Sequence, residues 1–137
     1  MTTFQANFTN SEYGRRIDKT RSEMSAKGLD AIVVCDPSNM SWLSGYDGWS
    51  FYVFQAVILR LEGDPVWWGR GMDALGARRT VFMEDDDCIR GYDDIYVQNP
   101  EKHPMEDLAG LLAELGLEKA RVGVEMDNYY YSATAHV

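Results

Sequence analysis

Residues 29–46 read LDAIVVCDPSNMSWLSGY, and this stretch decides the fold. Its first part, residues 29–35, is a continuous apolar run without alternation, which predicts a strand covered on both faces, as in an α/β sheet. Asp36 and Pro37 then supply the cap and first turn of a short helix, which Gly45 ends. The stretch therefore predicts one strand–helix unit of an α/β domain.

The segments on either side continue this alternation of strands and helices. Ser11 begins a helix with one buried stripe, and Gly28 ends it. Residues 62–65 are typical of a hairpin turn between antiparallel strands. In all, the sequence predicts helices over residues 11–27, 72–80, 104–115 and 128–136, the last capped by Asp127, and further strands over residues 51–61, 66–69, 88–92, 96–97 and 121–126.

Residues 36–53 are unusually aromatic and are broken by glycine and proline. They contain two Trp, two Tyr and one Phe among three Gly or Pro residues and two Asp. Aromatic side chains grouped on a turn-rich connection either close the end of a sheet or line a binding surface. From composition alone both interpretations stay open.

The composition of the 137 residues excludes several classes of protein. A net charge of −9 argues against a nucleic-acid-binding surface, which needs clustered Lys and Arg. No run approaches the roughly 20 apolar residues of a membrane helix, and no secretory signal is visible. Cys35 and Cys88 form no CxxC pair and indicate small buried thiols in a reducing compartment. We expect one cytoplasmic domain without nucleic-acid or membrane partners.

No pattern in the chain indicates catalytic residues or a metal site. The nucleophile elbow, the phosphate-binding loop and the HExxH zinc motif are all missing. His103 precedes Pro104 at a helix start, where we interpret it as a surface or capping residue. The acidic run at residues 84–87 fits a solvated turn better than a cation site.

A motif in residues 16–46 carries a resemblance to a known family. The pattern is a basic helix ending in Gly-Leu-Asp, an apolar strand, and Asn-x-x-[Trp/Tyr]-Leu-[Ser/Thr]-Gly-[Tyr/Phe]. Its three parts correspond here to residues 16–30, 31–34 and 39–46, with Arg16 or Arg21 at the basic position. The chain resembles, over essentially its whole length, the N-terminal domain of the creatinase/prolidase (peptidase M24) family.

Within that family, residues 45–53 and 69–74 look most similar to ectoine hydrolases. Those enzymes open the cyclic amidine of ectoine to an acetylated diaminobutyrate. The resemblance implies a three-layer α/β domain with a mixed, roughly six-stranded sheet flanked by helices. It also implies a homodimeric parent whose catalytic pita-bread domain follows residues 1–137. Catalytic residues, and two divalent metals where a member uses them, belong to that second domain; other members are metal-free.

In such dimers the N-terminal domain of one subunit reaches over the active site of the other. The resemblance thus implies that Trp49 and Phe51 form a lip of the substrate pocket, together with Tyr52. Ectoine is a zwitterion with a delocalised cationic ring, on which aromatic side chains can stack. Arg70 can pair bidentately with its carboxylate, and Asp73 can orient Arg70.

The same residues also have structural interpretations. Arg70 can cap a helix or bridge to Asp73 on the surface, and at least one of Trp67 and Trp68 belongs to the core. For the aromatic stretch we expect a division of roles, in which the core takes Met40, Trp42 and Leu43.

Three alternatives remain open for the function. One is an Xaa-Pro dipeptidase or aminopeptidase with two metals. Another is a creatinase-like amidinohydrolase, although Val53 stands where creatinases carry an Arg for the substrate carboxylate. The third, of a different class, is a stand-alone binding module. The last predicted helix stops at Val137, from which we expect a longer protein.

Overall fold

A computed structural model describes residues 6–136 of the chain, so Val137 lies outside the described part. Five strands form one sheet: β1 (Ala31–Val34), β2 (Ala56–Arg60), β3 (Val66–Arg70), β4 (Ile89–Tyr92) and β5 (Val122–Val124). The helices are α1 (Asn10–Ala26), α2 (Pro37–Ser44), α3 (Ala74–Thr80), α4 (Pro104–Glu114) and α5 (Ala133–His136), with short 3-10 turns at Gly71–Asp73, Asp86–Cys88 and Asp94–Tyr96.

The deciding stretch folds as its sequence predicts. Asp36 Oδ1 accepts hydrogen bonds from the backbone N–H groups of Ser38 at 2.8 Å and Asn39 at 3.2 Å, which caps α2. Pro37 occupies the first turn, and Gly45 ends the helix with φ +85°. Local capping chemistry therefore fixes both ends of α2.

The sheet is mixed, and its strands lie in the order β4-β3-β2-β1-β5. Strands β1, β2 and β3 pair antiparallel, whereas β5 pairs parallel with β1 and β4 pairs parallel with β3. The carboxyl ends of β1, β3, β4 and β5 and the beginning of β2 consequently lie along one side of the sheet, perpendicular to the strands. We call this side the carboxyl edge. That edge carries the candidate site.

Helices cover both faces of the sheet, which gives the predicted three layers. On one face, α1, α2 and α3 pack around Val57, Leu59 and Trp67. On the other face, α4 packs through Leu108 and Leu111 onto residues that include Trp68. Trp67 and Trp68 are neighbours in β3 and are both fully buried, one on each face, because successive strand residues point to opposite sides.

The structure corrects the predicted strand count from about six to five. Residues 96–97 form no strand, because the Asp93 carboxylate accepts the N–H of Ile95 at 2.8 Å and starts the 3-10 turn Asp94–Tyr96. The strand predicted over residues 51–61 begins only at Ala56. Before it the chain turns, and the N–H of Val53 donates to the carbonyl of Ser50 at 3.0 Å.

Three further expectations differ from the structure. Thr9, and not Ser11, caps α1, since its hydroxyl accepts the N–H of Glu12 at 3.2 Å. The helix predicted over residues 128–136 is reduced to α5, because the side chain of Asn128 accepts the N–H of Tyr130 at 2.9 Å and forms a turn. Asp127 therefore caps no helix.

Trp42 does not belong to the core, in contrast to Met40 and Leu43, which are buried as expected. It is 40% exposed, and the guanidinium of Arg16 lies 5.4 Å from its ring centre. Arg16 also donates to the Trp42 carbonyl at 3.0 Å. The ring thus covers a buried cation on α1 and stays outside the hydrophobic cluster.

The two cysteines are buried, as the sequence predicts. Cys35 and Cys88 are both buried and free, and burial raises the pKa of the Cys35 thiol to about 12. No helix in residues 6–136 has the length and apolar character needed to span a bilayer.

Candidate functional site

The connection from α2 to β2 presents a group of exposed aromatic side chains. We call residues 46–55 the aromatic loop. Within it Trp49 is 83% exposed, Tyr52 is 68% exposed and Phe51 is 43% exposed. Large apolar side chains exposed together mark an interaction or ligand surface more often than scattered ones do.

These rings contact one another and a fourth ring from a distant part of the chain. The ring centre of Phe51 lies 6.1 Å from that of Trp49 and 6.4 Å from that of Tyr52. Tyr130, which follows β5, meets Phe51 edge-on at 6.3 Å. We call these four residues the aromatic patch. Tyr130 is not among the site residues predicted from the sequence, although its position after β5, which is parallel to β1, places it at this edge.

Arg70 stands at the carboxyl end of β3 and is held by Asp94. Its Nε donates to Asp94 Oδ1 at 2.7 Å, and its Nη2 donates to Asp94 Oδ2 at 3.0 Å. This bidentate pair lowers the pKa of the Asp94 carboxyl and raises that of Arg70. Asp94 makes the direct contact that orients Arg70. The expectation that Asp73 makes this contact is therefore wrong.

Asp73 lies nearby in a different setting. It is half-buried, and its Oδ2 atom has no hydrogen-bond partner within the described part of the chain. Its charge adds to burial, the larger cause, in raising the pKa of the Tyr46 phenol. Asp73 therefore lies near Tyr46, the residue at which the aromatic loop begins.

A pocket of about 480 Å³ brings Tyr52 and Arg70 together. Its wall does not include Trp49, Phe51 or Asp73. The rest of the lining comes from Val53 and Phe54 of the aromatic loop and from residues between the end of β4 and the start of α4, which include Tyr92, Tyr96, Lys102 and His103. The pocket combines aromatic faces with cationic groups, which suits a small ligand that has a π-system or cation at one end and a carboxylate at the other.

No candidate metal site accompanies this pocket. Among residues 6–136, no three His, Cys, Asp or Glu side chains are placed to hold an ion. His103 caps α4, as its position before Pro104 predicts, since its Nδ1 accepts the N–H of Met105 at 3.1 Å. The acidic run at residues 84–87 is exposed, and Asp86 pairs with Arg78.

The model of the "Creatinase/Prolidase N-terminal domain" family matches residues 16–136. The chain belongs to this family. The creatinase/prolidase N-terminal domain is thus the fold whose three layers and mixed sheet are described above, with five strands in this member.

Two relatives of this creatinase/prolidase domain are much longer than the chain. Over 130 residues the chain is 58% identical to the ectoine hydrolase of Halomonas elongata. The matched region covers 94% of this chain and 32% of that protein. The chain is 38% identical, again over 130 residues, to an uncharacterized hydrolase/peptidase of Sinorhizobium fredii, with 94% and 33% covered. The chain spans about a third of the length of these relatives.

Solved structures share the fold. A proline dipeptidase from Streptococcus pneumoniae superposes with a TM-score of 0.66 at 20% identity, over 88% of this chain and 79% of that one. The creatinase/prolidase N-terminal domain of an X-Pro dipeptidase from Streptococcus pyogenes gives 0.61 at 16% identity, over 89% and 82%. At these identities the likeness concerns the architecture alone.

Proposed function

We propose that this chain is the non-catalytic N-terminal domain of a hydrolase that opens ectoine to an acetylated diaminobutyrate, and that it shapes the substrate pocket. The observation that carries the proposal is the exposure of Trp49, Phe51 and Tyr52, the last in one pocket with Arg70, in a chain 58% identical to an ectoine hydrolase. Ligands of α/β folds bind beyond the carboxyl ends of the strands, which is the edge where these residues meet.

The chemistry of the site matches the substrate. The cationic amidine ring of ectoine can lie on the faces of Trp49, Phe51 or Tyr52, where removal from water strengthens a cation–π contact. Arg70 gives Nε and Nη2 to Asp94, while its Nη1 makes no hydrogen bond within residues 6–136. We assign Nη1 to the substrate carboxylate, and Asp94 to the fixed orientation of the guanidinium.

The pocket is completed by other parts of the assembly. We propose that a C-terminal catalytic domain supplies all catalytic residues and that the parent is a cytoplasmic homodimer, in which the aromatic loop reaches over the partner's active site. A reading frame that continues past Val137 into such a domain supports this arrangement. A reading frame that stops there supports a stand-alone binding module.

The parent protein should hydrolyse ectoine and leave a proline dipeptide intact. Because residues 6–136 offer no metal site, any metal would be held by the C-terminal domain. The full-length protein is assayed on both substrates, with and without a chelator, by following release of N-acetyl-diaminobutyrate and of proline. Cleavage of the dipeptide that chelation abolishes would replace our proposal with a two-metal Xaa-Pro peptidase.

Removing two rings of the aromatic patch should weaken substrate binding. We expect Trp49→Ala combined with Phe51→Ala to raise the KM for ectoine about tenfold, because a desolvated cation–π contact contributes about 1–2 kcal/mol. Leu61→Ala is the matched control, since Leu61 is an exposed apolar residue at the opposite edge of the sheet. Unchanged kinetics in a stably folded double variant would exclude the aromatic patch from the substrate site.

A further inference from the structure

The aromatic loop is closed at its base by one buried hydrogen bond. The Tyr46 hydroxyl donates to Gln55 Oε1 at 2.9 Å. Each of these residues is only 3% exposed, and they are the first and last residues of the loop. The bond therefore joins the two ends of the segment that presents Trp49, Phe51 and Tyr52.

Tyr46 is itself firmly attached to the rest of the domain. Its N–H donates to Ser44 Oγ at 3.2 Å, and Ser44 Oγ donates to the Met40 carbonyl at 2.7 Å, which ties the residue to the last turn of α2. Its ring packs against that of Trp67 with centres 5.5 Å apart. The position of Tyr46 is thus fixed by a helix and by the sheet.

The loop wraps around the ring of Tyr46. A Cβ atom at Gly48 would overlap the Tyr46 hydroxyl and approach its Cζ to 2.5 Å, so only glycine fits there. Ser50, two residues on, is buried. Small residues therefore face the ring, and the aromatic residues between and beyond them point outward.

Gln55 has little else to hold it. Its Nε2 is buried without a hydrogen-bond partner in residues 6–136, and the same is true of Trp67 Nε1 and Asp73 Oδ2. All three belong to residues that surround Tyr46. Buried polar groups are paired in most proteins, and unpaired ones are concentrated at sites of function or strain. The bond from Tyr46 is thus the only side-chain hydrogen bond that orients the amide of Gln55 within these residues.

We propose that Tyr46 and Gln55 are positioning residues, whose hydrogen bond holds the aromatic loop so that Trp49, Phe51 and Tyr52 form a fixed wall against the substrate. This inference rests on the proposed function. Neither residue reaches the surface of the patch, so both act only through the loop. A wall that is ordered before binding avoids the loss of conformational freedom on binding and therefore lowers KM.

The test compares Tyr46→Phe, Gln55→Met and the double variant in the full-length protein. Both substitutions keep the shape of the side chain and remove the hydrogen bond. Asp107→Ala is the matched control, because it removes the acceptor of the buried Trp68 Nε1, 2.8 Å away, on the other face of the sheet. The readouts are hydrogen–deuterium exchange of residues 47–54, the KM and kcat for ectoine, and the melting temperature.

In each single variant the amide hydrogens of residues 47–54 should exchange about fivefold faster than in the wild type. The KM should rise by a similar factor, since the free energy of one net hydrogen bond corresponds to about that ratio. The kcat should stay within about twofold of the wild-type value, as a binding wall contributes little to the chemical step. Asp107→Ala should lower the melting temperature without changing the loop exchange or KM.

The double variant separates positioning from stability. With both polar partners replaced, no buried group loses its partner, so the melting temperature should return toward the wild-type value. The exchange rate and KM should stay raised. Recovery of KM together with the melting temperature, or a control that raises KM equally, would overturn the inference.

The outcome also separates this inference from the proposed function. Unchanged loop exchange in both single variants, or faster exchange with the wild-type KM, overturns the positioning role. If the variant lacking the Trp49 and Phe51 side chains then shows a raised KM, the proposed function stands without a positioning role for Tyr46 and Gln55. If that variant shows wild-type kinetics, the proposed function fails whatever Tyr46 does.

Discussion

Replacing Trp68 with alanine should lower the free energy of unfolding by about 3–5 kcal/mol, the range for removing a large aromatic side chain from a core. Trp68 is fully buried on the α4 face of the sheet, and its ring centre lies 4.8 Å from that of Tyr92. The substitution leaves a cavity that the strands around it cannot fill. It also removes the hydrogen bond from Trp68 Nε1 to Asp107. Urea denaturation followed by circular dichroism measures the change.

Two variants make this result interpretable. Trp49→Ala is the same substitution at an exposed position and should change the free energy of unfolding by no more than about 0.5 kcal/mol. Asp107→Ala removes only the hydrogen bond and should lower that free energy by about 1–3 kcal/mol. A Trp68→Ala variant that loses less than Asp107→Ala would show that the ring contributes nothing to the core.

Gly45→Ala should lower the free energy of unfolding by about 3 kcal/mol, through backbone strain and a steric clash together. Gly45 has φ +85°, which is unfavourable for a residue with a Cβ atom. That atom would also lie 2.8 Å from the Thr80 carbonyl oxygen and 2.8 Å from the Tyr13 hydroxyl. A backbone carbonyl cannot move aside as a flexible side chain does. Thermal and urea denaturation of the variant measure the loss.

Gly14→Ala is the matched control, and it should have the opposite sign. Gly14 lies inside α1, and apart from its chain neighbours and the nearby backbone of the same helix no atom comes within 4 Å of the position that a Cβ would take. Alanine there should stabilise the chain by about 0.5–1 kcal/mol, because glycine is the poorer helix former. Equal effects of the two substitutions would contradict the assigned conformation of Gly45.

The elements that the sequence predicts well are those with local signals at both ends. The cap at Asp36 and the glycine at Gly45 define α2 without reference to the rest of the chain. The apolar residues before Ala56 carry the same β-forming character as β2, yet they turn because no neighbouring strand pairs with them. Residues 96–97 form no strand for a local reason, because the side chain of Asp93 accepts the N–H of Ile95 and starts a 3-10 turn there.

The same distinction, between local sequence signals and contacts with residues distant in sequence, applies to the candidate site. Exposure of Trp49, Phe51 and Tyr52 follows from their place on a glycine-broken connection, and their substrate contact stays a prediction. The partnership of Arg70 with Asp94 depends on the parallel register of β3 and β4, which pairs Arg70 with Tyr92. Asp73 is nearer in sequence to Arg70, but sequence distance does not decide which carboxylate a folded chain brings close.

The carboxyl edge of the sheet and the side opposite to it give the molecule two ends with different experimental uses. Every side chain assigned to the substrate stands at one end, while the β2–β3 turn lies at the other. Arg21 fastens that turn by donating to the carbonyls of Arg60 and Gly63. The exposed residues 61–64 of this turn can therefore carry a fluorophore or a surface attachment, so that substrate binding is recorded from a point remote from the binding site.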